Sequence, residues 1–230
     1  MKPSKYRYVK RPGGVINRIA PMPENDTKAA FSEGLDEFLT EEFARSKPGA
    51  KHLLTCRFTK VMKLNMLILR LCLQGRREKG IYVSIDRPHS YTQHNLKALG
   101  VPQDGLIYID AISKLTGQRA EESQVRFLAD GFTLPLLDDL FSRAFLAEGI
   151  QKHFVKMEDL NFILLDNVQV MTQYLSMEKA QRILIGLGDL VKKYTAMRTM
   201  IVMDPQSSPE LCRFLRTRCD REHPIPEGWL

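Results

Sequence analysis

The chain has 230 residues, 43% of them hydrophobic, with four cysteines and a formal net charge of +7. That length holds one α/β domain with small additions, and the longest apolar stretch, around 64–73, falls short of the roughly 20 residues that span a bilayer. The cysteines at 56, 72, 212 and 219 form no CxxC pair, which sets aside a zinc or thioredoxin-type centre and fits reduced thiols in the cytoplasm.

Residues 1–25 form a basic arm. Lys2, Lys5, Arg7, Lys10, Arg11 and Arg18 precede the first acid, Glu24, and Pro12, Gly13, Gly14, Pro21 and Pro23 break any helix. Such an arm suits a polyanion or a neighbouring subunit, or is simply a solvated tail. An N-terminal helical segment, 26–48, follows. Asp26 or Thr27 caps a helix over 28–45 whose stripe is Phe31, Leu35, Phe38, Leu39 and Phe43, and Pro48 with Gly49 ends it.

HLLTC (52–56) reads as a strand. Residues 61–74 read as a helix apolar almost all round, and therefore buried. GIYVSI (80–85) is the next strand, ending in Asp86, Arg87 and Pro88; a short helix follows at 91–99, stopped by Gly100. LIYIDAIS (106–113) is a strand with Asp110 near its end. The polar stretch 114–131 reads as a loop and 135–149 as a helix.

The centre of the chain is 161–204. NFILLDNVQV (161–170) is an apolar run reaching Asp166 and Asn167. A helix with apolar spacing of three and four spans 176–196, and TMIVMD (199–204) is a second apolar run ending in Asp204. Continuous apolar runs mark strands buried on both faces. Ligands of such sheets sit beyond the carboxyl ends of the strands, where Asp166 and Asp204 fall. PELCRFLRTRCDRE (209–222) reads as a helix with Pro209 in its first turn. The tail 223–230 carries the only tryptophan, Trp229, suited equally to a core gap or a subunit contact.

The order of these phrases resembles the RecA-like P-loop fold, in particular the archaeal KaiC-type proteins, over about residues 50–222. The resemblance implies an α/β domain at 49–222, a mostly parallel sheet flanked by helices on both faces. It matches FILLDN to the Walker B strand, which makes Asp166 the acid that would hold a magnesium-bound water. A cap for the turn after the strand is the competing role. The family's phosphate loop, GxxxxGK[ST], would lie within TCRFTKVMKLN (55–65), so Cys56, Lys60, Met62 and Lys63 stand at its positions. That stretch contains no glycine, and glycine is what allows backbone N–H groups to wrap a phosphate. Where related proteins carry a Glu pair after the second strand, this chain has Asp86 and Arg87.

The expectation is a non-catalytic RecA-like protein that assembles, regulates or recruits, needs no cofactor, and meets protein partners or copies of itself. One alternative is an ATP-binding or hydrolysing enzyme with an atypical loop, using ATP and magnesium. Another is a nucleic-acid accessory protein using Arg57, Lys60, Lys63, Arg76, Arg77 and Lys79; only Phe58 and Tyr82 stand among them for base stacking. His89, His94 and His153 lack metal-ligand spacing, and no metal site is expected.

Overall fold

The computed structural model describes residues 33–112, 125–127, 159–194 and 197–230. The basic arm, the start of the first helix, most of the stretch read as a loop and the helix expected at 135–149 lie outside them. In chain order the elements are α1 (Glu33–Arg45), β1 (Lys51–Thr55), α2 (Val61–Arg70), β2 (Lys79–Ser84), α3 (His89–Ala98), β3 (Leu106–Asp110), β4 (Val125–Phe127), β5 (Leu160–Leu165), α4 (Met177–Tyr194), β6 (Arg198–Met203), α5 (Pro209–Arg216) and β7 (Arg221–Pro224).

Among the described residues seven strands form one sheet in the order β4-β3-β2-β5-β6-β1-β7. Every neighbouring pair runs parallel. The apolar runs are continuous because both sheet faces are covered. Leu53, Ile81, Val83, Ile163, Leu165, Ile201 and Met203 point to the face packed by α4 and α5. Their chain neighbours Leu54, Tyr82, Phe162, Leu164, Met200 and Val202 point to the face packed by α1, α2 and α3. Period-two alternation therefore feeds two cores instead of one core and water. Gly80 stands opposite Phe162 in the ladder, and a Cβ on Gly80 would lie 2.5 Å from that ring. The glycine lets the ring lie flat across β2.

Three expectations change. The helix expected through 222 stops at Arg216, and 221–224 forms β7 beside β1. Beyond Leu215 the pattern switches from helical spacing to alternation, with His223 and Ile225 buried and Glu222 and Pro224 exposed. The boundary drawn between 222 and 223 thus falls inside a strand. Within the stretch read as loop, Val125–Phe127 pairs with β3. The helix expected over 61–74 widens after Arg70 into a π turn over Leu71–Gly75. Trp229 packs on the second core with its ring 5.6 Å from Phe38, on α1. Among the described residues no helix is long and apolar enough to cross a membrane.

Candidate functional site

The carboxyl ends of β1, β2, β5 and β6 converge on one edge of the sheet. Between Thr55 and the 3-10 turn Phe58–Lys60, which leads directly into α2, stand only Cys56 and Arg57. Cys56 donates its backbone N–H to Met203. Its thiol is buried, and burial followed by the nearby Asp204 pushes its pKa up to about 12. Asp204 closes the corner. Its Oδ2 accepts the backbone N–H of Phe58 at 3.0 Å and the Ser207 hydroxyl at 2.9 Å. Its Oδ1 accepts the N–H of Gln206 at 2.8 Å, and its own N–H goes to Gln169 Oε1 at 3.2 Å.

The cations of this turn are engaged by the end of the chain. Lys60 Nζ donates to the Leu230 carbonyl at 2.6 Å, and Arg57 pairs with Glu227. The tail is held down by Ile225, whose N–H bonds Thr55, and by the buried side chains of Ile225 and Leu230. Met62 is buried in the second core, and Lys63 lies half-buried on the first turn of α2.

Asp166 follows β5 and is 1% exposed. Asn65, on α2, donates Nδ2 to its Oδ1 at 2.5 Å. Burial first, then the charge of Asp86, raises the Asp166 pKa to about 7, against the opposing pull of Tyr82, Arg87 and Asn65. Burial also pushes the Tyr82 phenol well above its ordinary range, and Thr92 donates to it at 3.3 Å. Asn167 takes a left-handed conformation at φ 51°, which asparagine tolerates better than most residues. That turn aims its amide at Asp86 Oδ2, 3.0 Å away. Arg87 reaches the same oxygen at 3.6 Å. Four buried polar atoms here, Asp166 Oδ2, Asn65 Oδ1, Asn167 Oδ1 and Gln169 Nε2, have no hydrogen-bond partner among the described residues. Chemically this is a near-neutral carboxyl in an amide-rich pocket, able to donate a proton or a hydrogen bond close to neutral pH.

Asp110 is a cap. Its Oδ2 accepts the His89 backbone N–H at 2.6 Å and meets His89 Nδ1 at 2.7 Å, while Oδ1 accepts from Ile112 at 2.8 Å. His94 is exposed on α3, and His153 lies outside the described residues. Among those residues no group of three or more His, Cys, Asp or Glu is placed to hold a metal.

The six basic candidates separate into two groups. Arg57, Lys60 and Lys63 stand at the start of α2, with Arg76, Arg77 and Lys79 past its other end, about 20 Å away at 1.5 Å per residue. Arg76 pairs with Glu78 at 2.7 Å and Lys79 with Asp159 at 3.6 Å. Arg77 occupies a positive-φ turn at 53°. Of the two aromatics, Tyr82 is fully buried, while Phe58 is exposed. A second exposed aromatic, Tyr174, lies in the turn after β5, on the same edge of the sheet as Phe58.

The residues that sequence reasoning passed over are Asn65, Asn167 and Gln169. Asn65 had a signal: with Lys63 it interrupts VMKLNMLIL, and a polar residue on the buried face of a helix needs a partner.

No family model and no curated protein matches the sequence. Among solved structures, the chain is similar to an uncharacterized protein of Pyrococcus horikoshii in complex with an unknown peptide, with TM-score 0.60 and 14% identity, over 84% of this chain and 85% of that one. It also matches a KaiC-like protein of the same hyperthermophilic archaeon with TM-score 0.45 and 12% identity, over 68% of this chain and 63% of that one, a little under two thirds of its length. The fold is α/β, a parallel sheet with helices on both faces and acids at the carboxyl ends of its central strands.

Proposed function

We propose that this RecA-like chain is a non-catalytic assembly or recruitment protein that uses the scaffold without its nucleotide. The observation that carries this reading is the bond from the Phe58 N–H to Asp204. In a phosphate loop, N–H groups at the start of the helix face the anion. Here such an N–H already serves an internal carboxylate, and a phosphate beside Asp204 would meet like charge.

The residues present suit magnesium and ATP poorly. The link from β1 to α2, residues 56–60, holds a 3-10 turn and no glycine, which leaves no residue free to wrap its backbone around a phosphate. Lys60 is turned to Leu230. Met62 is buried. Asp166, the acid that would hold the metal's water, is buried and bonded to Asn65. Exposed Phe58 and Tyr174 on the same edge offer a protein partner two aromatic anchors. The similar Pyrococcus protein was solved with a peptide, which points the same way. Light scattering of the chain with co-purifying proteins is expected to show a complex or a self-associated species that Phe58→Ser and Tyr174→Ser weaken.

The direct test of the nucleotide reading is calorimetric titration with ATP and magnesium. The expected result is no binding tighter than about 1 mM, about −4 kcal/mol. A dissociation constant at or below about 10 μM, abolished by Asp166→Ala, would overturn the reading in favour of an ATPase with an atypical loop.

A further inference from the structure

A cleft of about 60 Å³ opens between α4 and α5 on the sheet face away from α2. Its mouth lies at the amino-terminal ends of β1 and β6, where Lys51 and Thr199 stand, and its lining reaches in as far as Leu165 on β5. Lys51 and Thr199 are direct partners in the ladder. The alternation that turns Leu53 and Ile201 toward α4 and α5 turns these two the same way. Arg218, just past α5, supplies a second cation, its guanidinium 5.8 Å from the centre of the Phe214 ring.

Three features mark this as more than a packing gap. Neither Lys51 nor Arg218 makes a side-chain ion pair among the described residues, although both line the same cleft. Thr199 is buried, and its hydroxyl, in the cleft lining, has no hydrogen-bond partner among those residues. Gly188 makes room for the ammonium, since a Cβ there would lie 2.6 Å from Lys51 Nζ. The inner wall is apolar, formed by Leu184, Ile201 and Leu215. Asp189 is an exposed member of the lining, and the Asp220 carboxylate accepts the Lys51 backbone N–H at 2.7 Å, so the two cations stand against two carboxylates and carry no large positive excess.

We infer that this cleft binds a small monocarboxylate with a short apolar body. The carboxylate lies between Lys51 and Arg218, in charge-assisted hydrogen bonds, and the hydrocarbon lies on Leu184 and Ile201. The two carboxylates close to the two cations favour a monoanion over a phosphate dianion, which would meet more repulsion. The volume holds about four or five waters, which suits an acid of about three to five carbons.

The test uses the full chain, isotope-labelled for amide spectra, titrated separately with isobutyrate, isobutylamine and inorganic phosphate. Isobutyrate is expected to move the Gly188, Thr199 and Cys219 signals in a saturable way with a dissociation constant of about 1 mM, in line with six heavy atoms. The amine and phosphate are expected to leave them in place. Lys51→Gln and Arg218→Gln, both at the cleft mouth, are each expected to weaken isobutyrate about tenfold, with melting temperature confirming the fold. Should Lys51→Gln unfold the protein, Arg218→Gln alone decides, because Arg218 is exposed. The inference fails if isobutyrate moves no cleft signal, if phosphate moves them as strongly, or if a folded Arg218→Gln binds as the parent does.

Discussion

Asn65 and Asp166 join α2 to the end of β5 by a buried hydrogen bond of 2.5 Å. The acid that the resemblance assigns to a magnesium-bound water is thus held by a neutral amide on the helix that would follow a phosphate loop. Burial, and after it the charge of Asp86, pushes its carboxyl up to about 7.

This carries a stability prediction. The folded-state pKa is raised above the unfolded value, so the protein gains from Asp166 below about pH 4 and loses that gain as pH rises through 7. A carboxyl raised from its ordinary range to about 7 changes stability by on the order of 4 kcal/mol across that window. Asp166→Asn removes the ionisable group and keeps the shape. Chemical denaturation is expected to find the variant more stable than the parent at pH 8, with the difference shrinking toward pH 5. A variant less stable at pH 8 than at pH 5, relative to the parent, would refute it.

A second buried group pulls the other way. His52 on β1 and His223 on β7 stack with centroids 5.2 Å apart, and His52 Nδ1 meets His223 Nε2 at 2.9 Å. Burial, then His223, Arg198 and Arg221, lowers the His52 pKa to about 4 against the weaker opposing charge of Glu42; His223 is lowered too, chiefly by burial. A base with a depressed folded pKa binds protons preferentially when unfolded. Its contribution is therefore complete above about pH 6.5 and is lost as pH falls toward 4. For His52 alone this is on the order of 3 kcal/mol. The two slopes oppose each other between pH 4 and 6.5, so the parent's stability is expected to vary little there. The double substitution His52→Leu with His223→Leu is expected to leave only the Asp166 slope, stability falling as pH rises. An unchanged pH profile would rule out this account of the pair.

Gly80 tests the two-core packing. The ring of Phe162 occupies the place of its Cβ, and both residues sit in central strands with no room to move. Gly80→Ala is expected to cost about 1–3 kcal/mol, the usual penalty of overpacking. Phe162→Leu in the same chain is expected to recover part of it, a non-additive result that thermal denaturation of the four-member cycle measures. Additive losses would mean that the clash is relieved elsewhere.

The central strands and their acids were legible because burial on two faces writes itself as unbroken apolar runs, and both Asp166 and Asp204 stand where the runs end. What was not legible is what each acid touches. Asn65 is 101 residues from Asp166 and Phe58 is 146 from Asp204, and no local pattern encodes such pairings. The end of α5 was misplaced for a related reason. RTRCDRE has no glycine or proline to stop a helix, so the stop is set by β1, whose open edge takes Arg221–Pro224 as a neighbour. The basic residues read as one cluster because they are close in sequence. A helix of this length carries them to opposite ends.

Asp204 decides how much of the nucleotide site its own carboxylate closes. It accepts from two backbone N–H groups, Phe58 and Gln206, and from the Ser207 hydroxyl. Hydrogen bonds to a charged group are worth about 1.5–3 kcal/mol each, and three on one carboxylate share their strain and solvent. Asp204→Ala is therefore expected to cost about 2–4 kcal/mol, and Asp204→Asn, which keeps one acceptor oxygen, about 1 kcal/mol. The substitution also frees the Phe58 N–H and removes the negative charge beside it. ATP with magnesium is still expected to give no binding tighter than about 1 mM, because one freed N–H does not replace a loop of them and Asp166 stays bonded to Asn65. Calorimetry on folded Asp204→Ala separates two causes. Silence places the defect beyond Asp204, in the glycine-free link between β1 and α2 or in the bonded Asp166, whereas binding in the micromolar range would mean that a single internal carboxylate had closed an otherwise competent site.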